Sequence, residues 1–170
     1  MSLLGLLKPK AGEGRIPAPP PVFKTKEDYE RMWLKISALP LDDPKAPKPM
    51  SLRLAQEQGW THEFAKRVLE EYRRFVFLMV VSPRSVTPST TVDECWHVHL
   101  IYSKSYWVEM CLYTLGVAIH HNPGTGAGEV EKKGFEDDYQ YTLRQYKHFF
   151  GDYPMDIWGP DNGRNVKPKG

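Results

Sequence analysis

The stretch from Val92 to His121 concentrates the side chains of this sequence that could do chemistry. It contains both cysteines and four of the six histidines. These histidines are His97, His99, His120 and His121, and Asp93 precedes them. Imidazole nitrogens and carboxylate oxygens are common protein ligands of zinc and of non-haem iron. The composition of this stretch therefore predicts a divalent-metal site, with zinc or iron as the expected ion.

Helical spacing divides these residues into two groups. On a helix that begins near Val92, Asp93 and His97 lie four residues apart and share a face. The carboxylate can then bind an ion beside the imidazole, or accept a hydrogen bond from the imidazole and so orient it toward the ion. His99 points to nearly the opposite side from His97, so a regular helix cannot offer both to one ion. We expect Asp93 and His97 as ligands, joined by His120 or His121, with His99 as a substitute.

The path of the chain decides whether these residues can meet. A single helix from Val92 to Leu115 would be about 35 Å long at about 1.5 Å per residue. The few residues that follow span at most about 3.5 Å each and could not return His120 to His97. The metal hypothesis therefore requires a break near Tyr102 to Ser105, where a serine could cap a second helix antiparallel to the first.

Three other interpretations stay open. Asp93 and the histidines could be purely structural, as first-turn and buried hydrogen-bonded groups of a helical bundle. Cys95 and His99, four residues apart, could form the thiolate pair of a cysteine hydrolase. Burial should raise the pKa of Cys95, however, and leave it inert. A non-catalytic accessory subunit of a larger complex would instead dock through its Pro-rich arm and surface aromatics. Whether the protein is an enzyme stays open.

Apolar residues recur at helical spacing through most of the chain, and no segment alternates as a strand would. We therefore predict an all-α fold, a single compact bundle of five to six helices with a Pro-rich extended N-terminal arm. The predicted divisions are the arm at 1–24, an outlying helix and Pro-rich connector at 25–49, a helical core with the His-rich motif at 50–160, and a polar tail at 161–170. The arm is either a flexible tail or a segment that docks on a partner or on the domain itself.

The overall composition narrows the class of protein. A chain of 170 residues fits one domain, and its net charge of +2 does not indicate nucleic-acid binding. The longest apolar run, Phe75 to Val81, falls far short of the ~20 residues that cross a membrane. The N-terminus lacks the pattern of a signal peptide, and Cys95 and Cys111 lack disulfide or zinc-knuckle spacing. We expect an intracellular protein of a reducing compartment, cytoplasmic by default with organellar import left open, and a protein partner bound through residues 1–24.

Several motifs resemble one family. Three motifs are similar to those of the bacterial proteins called glycine-rich domain-containing. They are Val-Asp-Glu-Cys-Trp-His-Val-His from Val92, His-His-Asn-Pro-Gly-Thr-Gly from His120, and Phe-Gly-Asp-Tyr-Pro-Met-Asp-Ile-Trp ending at Trp158. More distantly they resemble the plant glycine-rich domain proteins, in which a proline often follows Trp-His-x-His at a place near Tyr102 or Ser103. The resemblance runs from about Ser51 to Trp158. It implies a helical fold, a recurring His-rich motif and the break, but no particular activity. The RNA-recognition segments of some plant relatives are absent, so their RNA roles do not carry over.

Overall fold

The computed structural model describes residues 21–122 and 129–159, without the side chains of 129–132. Its helices are α1 (Lys26–Ser37), α2 (Met50–Gln58), α3 (His62–Val81), α4 (Thr90–Ile101), a π-helix (Lys104–Leu115), α5 (Glu129–Phe150) and α6 (Met155–Trp158). These residues contain no strand, so the predicted all-α fold is confirmed. The single turn of α6 makes seven helices where five to six were expected. The described residues leave out most of the predicted arm (1–20), the glycine-rich stretch 123–128 and the predicted polar tail.

The helix boundaries follow from capping residues that the sequence already displays. Thr61 accepts a hydrogen bond from the Phe64 amide at the start of α3. Ser89 does the same for the Val92 amide at the start of α4. Gly59 ends α2 in the left-handed region, with φ of 68°, where glycine has no steric penalty. Threonine and glycine are residue types that commonly occupy these two positions.

Helix α3 lies at the centre of the bundle and packs against α1, α2, α4 and α5. Its fully buried side chains Tyr72, Phe75 and Leu78 form the middle of the core. Helix α1 also belongs to this core because Ile36 is fully buried. The buried Arg73 of α3 donates hydrogen bonds to the carbonyl oxygens of Ile36 (3.0 Å) and Leu39 (2.8 Å). The helix expected to be outlying is thus held against α3 by apolar packing and by its satisfied C-terminal carbonyls.

The C-terminal elements close the bundle around a buried carboxylate. Glu71 Oε2 accepts hydrogen bonds from Tyr146 Oη at 2.7 Å and from Trp158 Nε1 at 2.9 Å. The other oxygen of Glu71 pairs with Arg74. Because Trp158 is fully buried, the segment after α5 folds back on the bundle.

Candidate metal centre

The chain breaks where the metal hypothesis requires it to break. Helix α4 ends at Ile101, and Tyr102 leaves the helical region with φ of −81° and ψ of 63°. The π-helix begins at Lys104 and ends at Leu115, where Gly116 adopts the left-handed region with φ of 71°. The predicted break between Tyr102 and Ser105 is confirmed.

An irregular segment, residues 117–122, carries the chain back to α4. Tyr106, fully buried in the first turn of the π-helix, donates a hydrogen bond to the Ile119 carbonyl oxygen at 2.7 Å. The same hydroxyl accepts a hydrogen bond from Trp96 Nε1 of α4 at 2.9 Å. By Ile119 the chain has therefore returned to the level at which the π-helix began, and this return segment is tied to α4 two residues before His121.

The return segment brings His121 beside Asp93 and His97. His121 Nε2 lies 2.8 Å from Asp93 Oδ1, and His97 Nε2 lies 3.6 Å from Asp93 Oδ2. One ligand atom from each of the three residues lies within 4.8 Å of the other two. Donors around one tetrahedral ion with bonds of about 2.1 Å lie about 3.4 Å apart. The three donors therefore need to close by at most about 1.4 Å to reach a common ion.

The three side chains differ in how firmly they are held. The side chain of His121 is 13% exposed, that of Asp93 31% and that of His97 49%. The Trp96 ring packs against the His121 ring with centroids 4.3 Å apart, which fixes one side of His121. The movement needed to close the cluster therefore falls mainly on His97, whose side chain has the most room.

The cluster opens onto a cleft of about 550 Å³. Its walls include Thr87, Pro88, Thr90, Asn122, Phe135 and Asp138. A cleft of this size is comparable with small-molecule sites in proteins. An ion held by the cluster would therefore lie where a small molecule can reach it.

The two other candidate histidines lie outside the cluster. His120 is exposed and lines the same cleft, but its ring lies against Trp107, with centroids 5.6 Å apart. His99 is fully buried, and both of its ring nitrogens have partners: Tyr72 Oη at 2.9 Å and Ser105 Oγ at 3.0 Å. Burial lowers the pKa of His99 to about 4. Of the predicted ligands, the structure brings together Asp93, His97 and His121.

The predicted burial of Cys95 and the predicted direction of its pKa shift are confirmed. The thiol is fully buried, and this burial raises its pKa well above the ordinary range. His99, its expected partner, uses its ring nitrogens on Tyr72 and Ser105 instead. A thiol that stays protonated is a poor nucleophile, so this geometry does not support a cysteine hydrolase.

Comparisons of the chain with protein-family models, with curated proteins and with solved structures gave no match. Among residues 21–122 and 129–159, no helix is both long enough and apolar enough to cross a membrane.

Proposed function

We propose that this protein binds one divalent metal ion, zinc or iron, through Asp93, His97 and His121. The observation that carries the proposal is the meeting of these three donors from two elements that are distant in sequence. Two imidazoles and one carboxylate form the donor set of many catalytic zinc sites, and also of the facial triad of non-haem iron proteins. In both cases the ion keeps positions for water or substrate, and here they would face the cleft.

Metal binding at His121 Nε2 would have to replace the hydrogen bond between this nitrogen and Asp93. An ionised carboxylate only accepts hydrogen bonds, so His121 Nε2 carries the proton at this contact. A metal ion can bind that nitrogen only after this proton has moved, either to Nδ1 of the same ring or to the solvent. The same hydrogen bond also ties the return segment to α4 in the absence of an ion. A measurement of metal binding separates the role of His121 as a ligand from its role in holding the return segment on α4.

Calorimetric titration of the untagged, chelator-treated protein with Zn²⁺, and with Fe²⁺ under anaerobic conditions, tests the proposal. We expect one ion per chain for the wild type, and loss of this stoichiometric binding in His97→Ala and His121→Ala. His120→Ala is the matched control because the His120 imidazole lies in the same cleft but outside the cluster. This variant should bind the ion as the wild type does. Unchanged binding by His121→Ala would contradict the proposal. Elemental analysis of the protein as purified then distinguishes zinc from iron.

A second candidate function is that of an accessory subunit in a larger complex. The observation that favours it is a group of exposed apolar side chains on and next to the π-helix, with Tyr113 74% and Leu112 59% exposed. Such side chains are common at protein interfaces. In this proposal residues 1–24 contribute a further contact. The double substitution Leu112→Ser and Tyr113→Ser should release the protein from a native complex while its metal stoichiometry stays unchanged. Membership of the glycine-rich domain-containing family also remains a proposal.

A further inference from the structure

A second cleft, of about 570 Å³, lies between α1 and α5 on a face of the protein that the metal centre does not use. We name it the aromatic groove, and its rings are Tyr29, Trp33, Phe77, Phe149 and Phe150. These rings form one continuous contact set. The centroids of Trp33 and Phe150 are 5.0 Å apart, and those of Tyr29 and Phe149 are 5.4 Å apart. Phe77 is buried, whereas the other four are half-buried and present part of their faces to the cleft.

The composition of the aromatic groove indicates the class of ligand that fits it. Grooves lined by aromatic rings bind proline-rich segments in the polyproline II conformation. Proline rings pack flat against aromatic faces, and the restricted segment loses little entropy on binding. A polyproline II helix also has no internal hydrogen bonds, so its carbonyl oxygens remain available to donors such as the Trp33 indole N–H.

The chain itself contains such a segment, and in sequence it directly precedes residues that line the groove. Residues 15–21 read Arg-Ile-Pro-Ala-Pro-Pro-Pro, and they lead directly into Lys24 and Thr25, which line the groove. Phe23 already stacks on the groove residue Tyr29, with centroids 5.3 Å apart and an interplanar angle of 26°. The chain that follows the prolines therefore lies on the aromatic groove before α1 begins.

The proline segment is long enough to run the whole α1 side of the groove. In the polyproline II conformation, the five residues 17–21 span about 15 Å at about 3.1 Å per residue. The α1 side of the groove, from Lys26 to Trp33, extends about 10 Å at about 1.5 Å per residue. We propose that the aromatic groove is a polyproline-binding site, and that residues 15–21 of the same chain occupy it. The short link to α1 gives this segment a high effective concentration, so a proline-rich partner would have to displace it.

The first test uses the full-length chain and the indole N–H signals of its five tryptophans in a two-dimensional nitrogen–proton NMR spectrum. Trp33→Phe assigns the groove signal. The double substitution Pro19→Ser and Pro20→Ser should shift the Trp33 indole signal, since its docked neighbours are lost. The signals of Trp60, Trp96, Trp107 and Trp158 should stay in place and serve as internal references. An unshifted Trp33 signal would overturn the proposal.

The second test measures proximity and distinguishes this chain from a second copy. A nitroxide attached to Ala18→Cys should broaden the amide signals of Phe149 and Phe150, which are remote from residue 18 in sequence. The broadening should be lost when Pro19 and Pro20 are also replaced by serine, since an undocked arm does not stay near α5. Both native cysteines are buried, so the label goes to the new thiol. If spin-labelled chains without nitrogen-15 broaden the signals of separate nitrogen-15-labelled chains to the same extent, a second copy is the occupant and the proposal fails.

Discussion

Tyr106→Phe tests how the metal centre is assembled without touching a ligand. The substitution removes the hydroxyl that joins Trp96 of α4 to Ile119 of the return segment. It leaves the ring in its fully buried place, so no cavity forms. Each buried polar group left without a partner costs about 1–3 kcal/mol. Because Ile119 is only partly buried, water can satisfy part of its carbonyl, and we expect the free energy of unfolding to fall by about 2–4 kcal/mol.

Three measurements on Tyr106→Phe follow from this structure. Urea unfolding should give the loss of stability, and hydrogen exchange should become faster in residues 117–122, which have lost their tie to α4. Zinc affinity should fall by about 10–100-fold, the usual effect of removing a group that positions a ligand. Tyr146→Phe is the matched control because it removes one hydrogen bond to Glu71 outside the metal centre. It should lower stability but leave zinc affinity and exchange in 117–122 unchanged.

The outcomes separate two roles for Tyr106. If Tyr106→Phe loses stability but keeps the wild-type exchange rate in 117–122, the hydroxyl does not position the return segment and the reasoning is wrong. If exchange accelerates while zinc affinity stays at the wild-type value, His121 does not depend on that segment for its place. Either result would refute the link from Tyr106 to the metal centre.

Four further predictions follow from the described contacts. Zinc at 100 times its dissociation constant should stabilise the wild type and His120→Ala by about 2.7 kcal/mol in thermal unfolding. The same zinc concentration should stabilise His121→Ala by only about 0.4 kcal/mol if the zinc affinity of this variant is about 100-fold weaker. Burial lowers the pKa of His99 from 6.5 to about 4, so the unfolded chain binds more protons between these values. The free energy of unfolding should therefore fall by about 2 kcal/mol from pH 7 to pH 5, and urea titrations of His99→Gln should show a smaller fall. Glu71→Gln should cost about 2–3 kcal/mol in urea unfolding because it removes the buried carboxylate charge that pairs with the half-buried Arg74, whereas Glu63→Gln on the exposed side of α3 should cost little. Cys95 and Cys111 are buried with raised pKa values, so iodoacetamide at neutral pH should modify neither until the protein unfolds, as mass spectrometry would show.

Local rules account for the parts of this protein that could be predicted from sequence. Helix periodicity and capping residues indicate the all-α fold, as the Thr61 cap and the Gly59 stop illustrate. The i and i+4 spacing places Asp93 beside His97, and the length of a helix requires the break near Tyr102. Each of these inferences depends on geometry that repeats along a helix.

The choice between His120 and His121 depends on the return segment, whose backbone follows no repeat. Neighbouring residues of an extended chain point to different sides, so a change of register by one residue would exchange them. The register is set by Tyr106 Oη on Ile119, a contact between residues that no local pattern joins. A signal for it was present in the sequence. A buried tyrosine or tryptophan needs a hydrogen-bond partner. The Trp96 indole donates to Tyr106 Oη, and the Tyr106 hydroxyl then donates to the Ile119 carbonyl oxygen.

Two buried polar groups, one on each side of the break, hold the candidate metal centre together. His99 joins α3 to the start of the π-helix through Tyr72 and Ser105, and Tyr106 joins α4 to the return segment. Because a buried polar group costs free energy unless it is bonded, such contacts favour one arrangement of the helices over other compact ones. Asp93 and His121 are therefore placed by the fold itself, and only the more exposed His97 would have to move for the cluster to hold an ion. A cluster with two placed donors and one exposed donor would lose little entropy on binding an ion and would still admit the ion from the cleft.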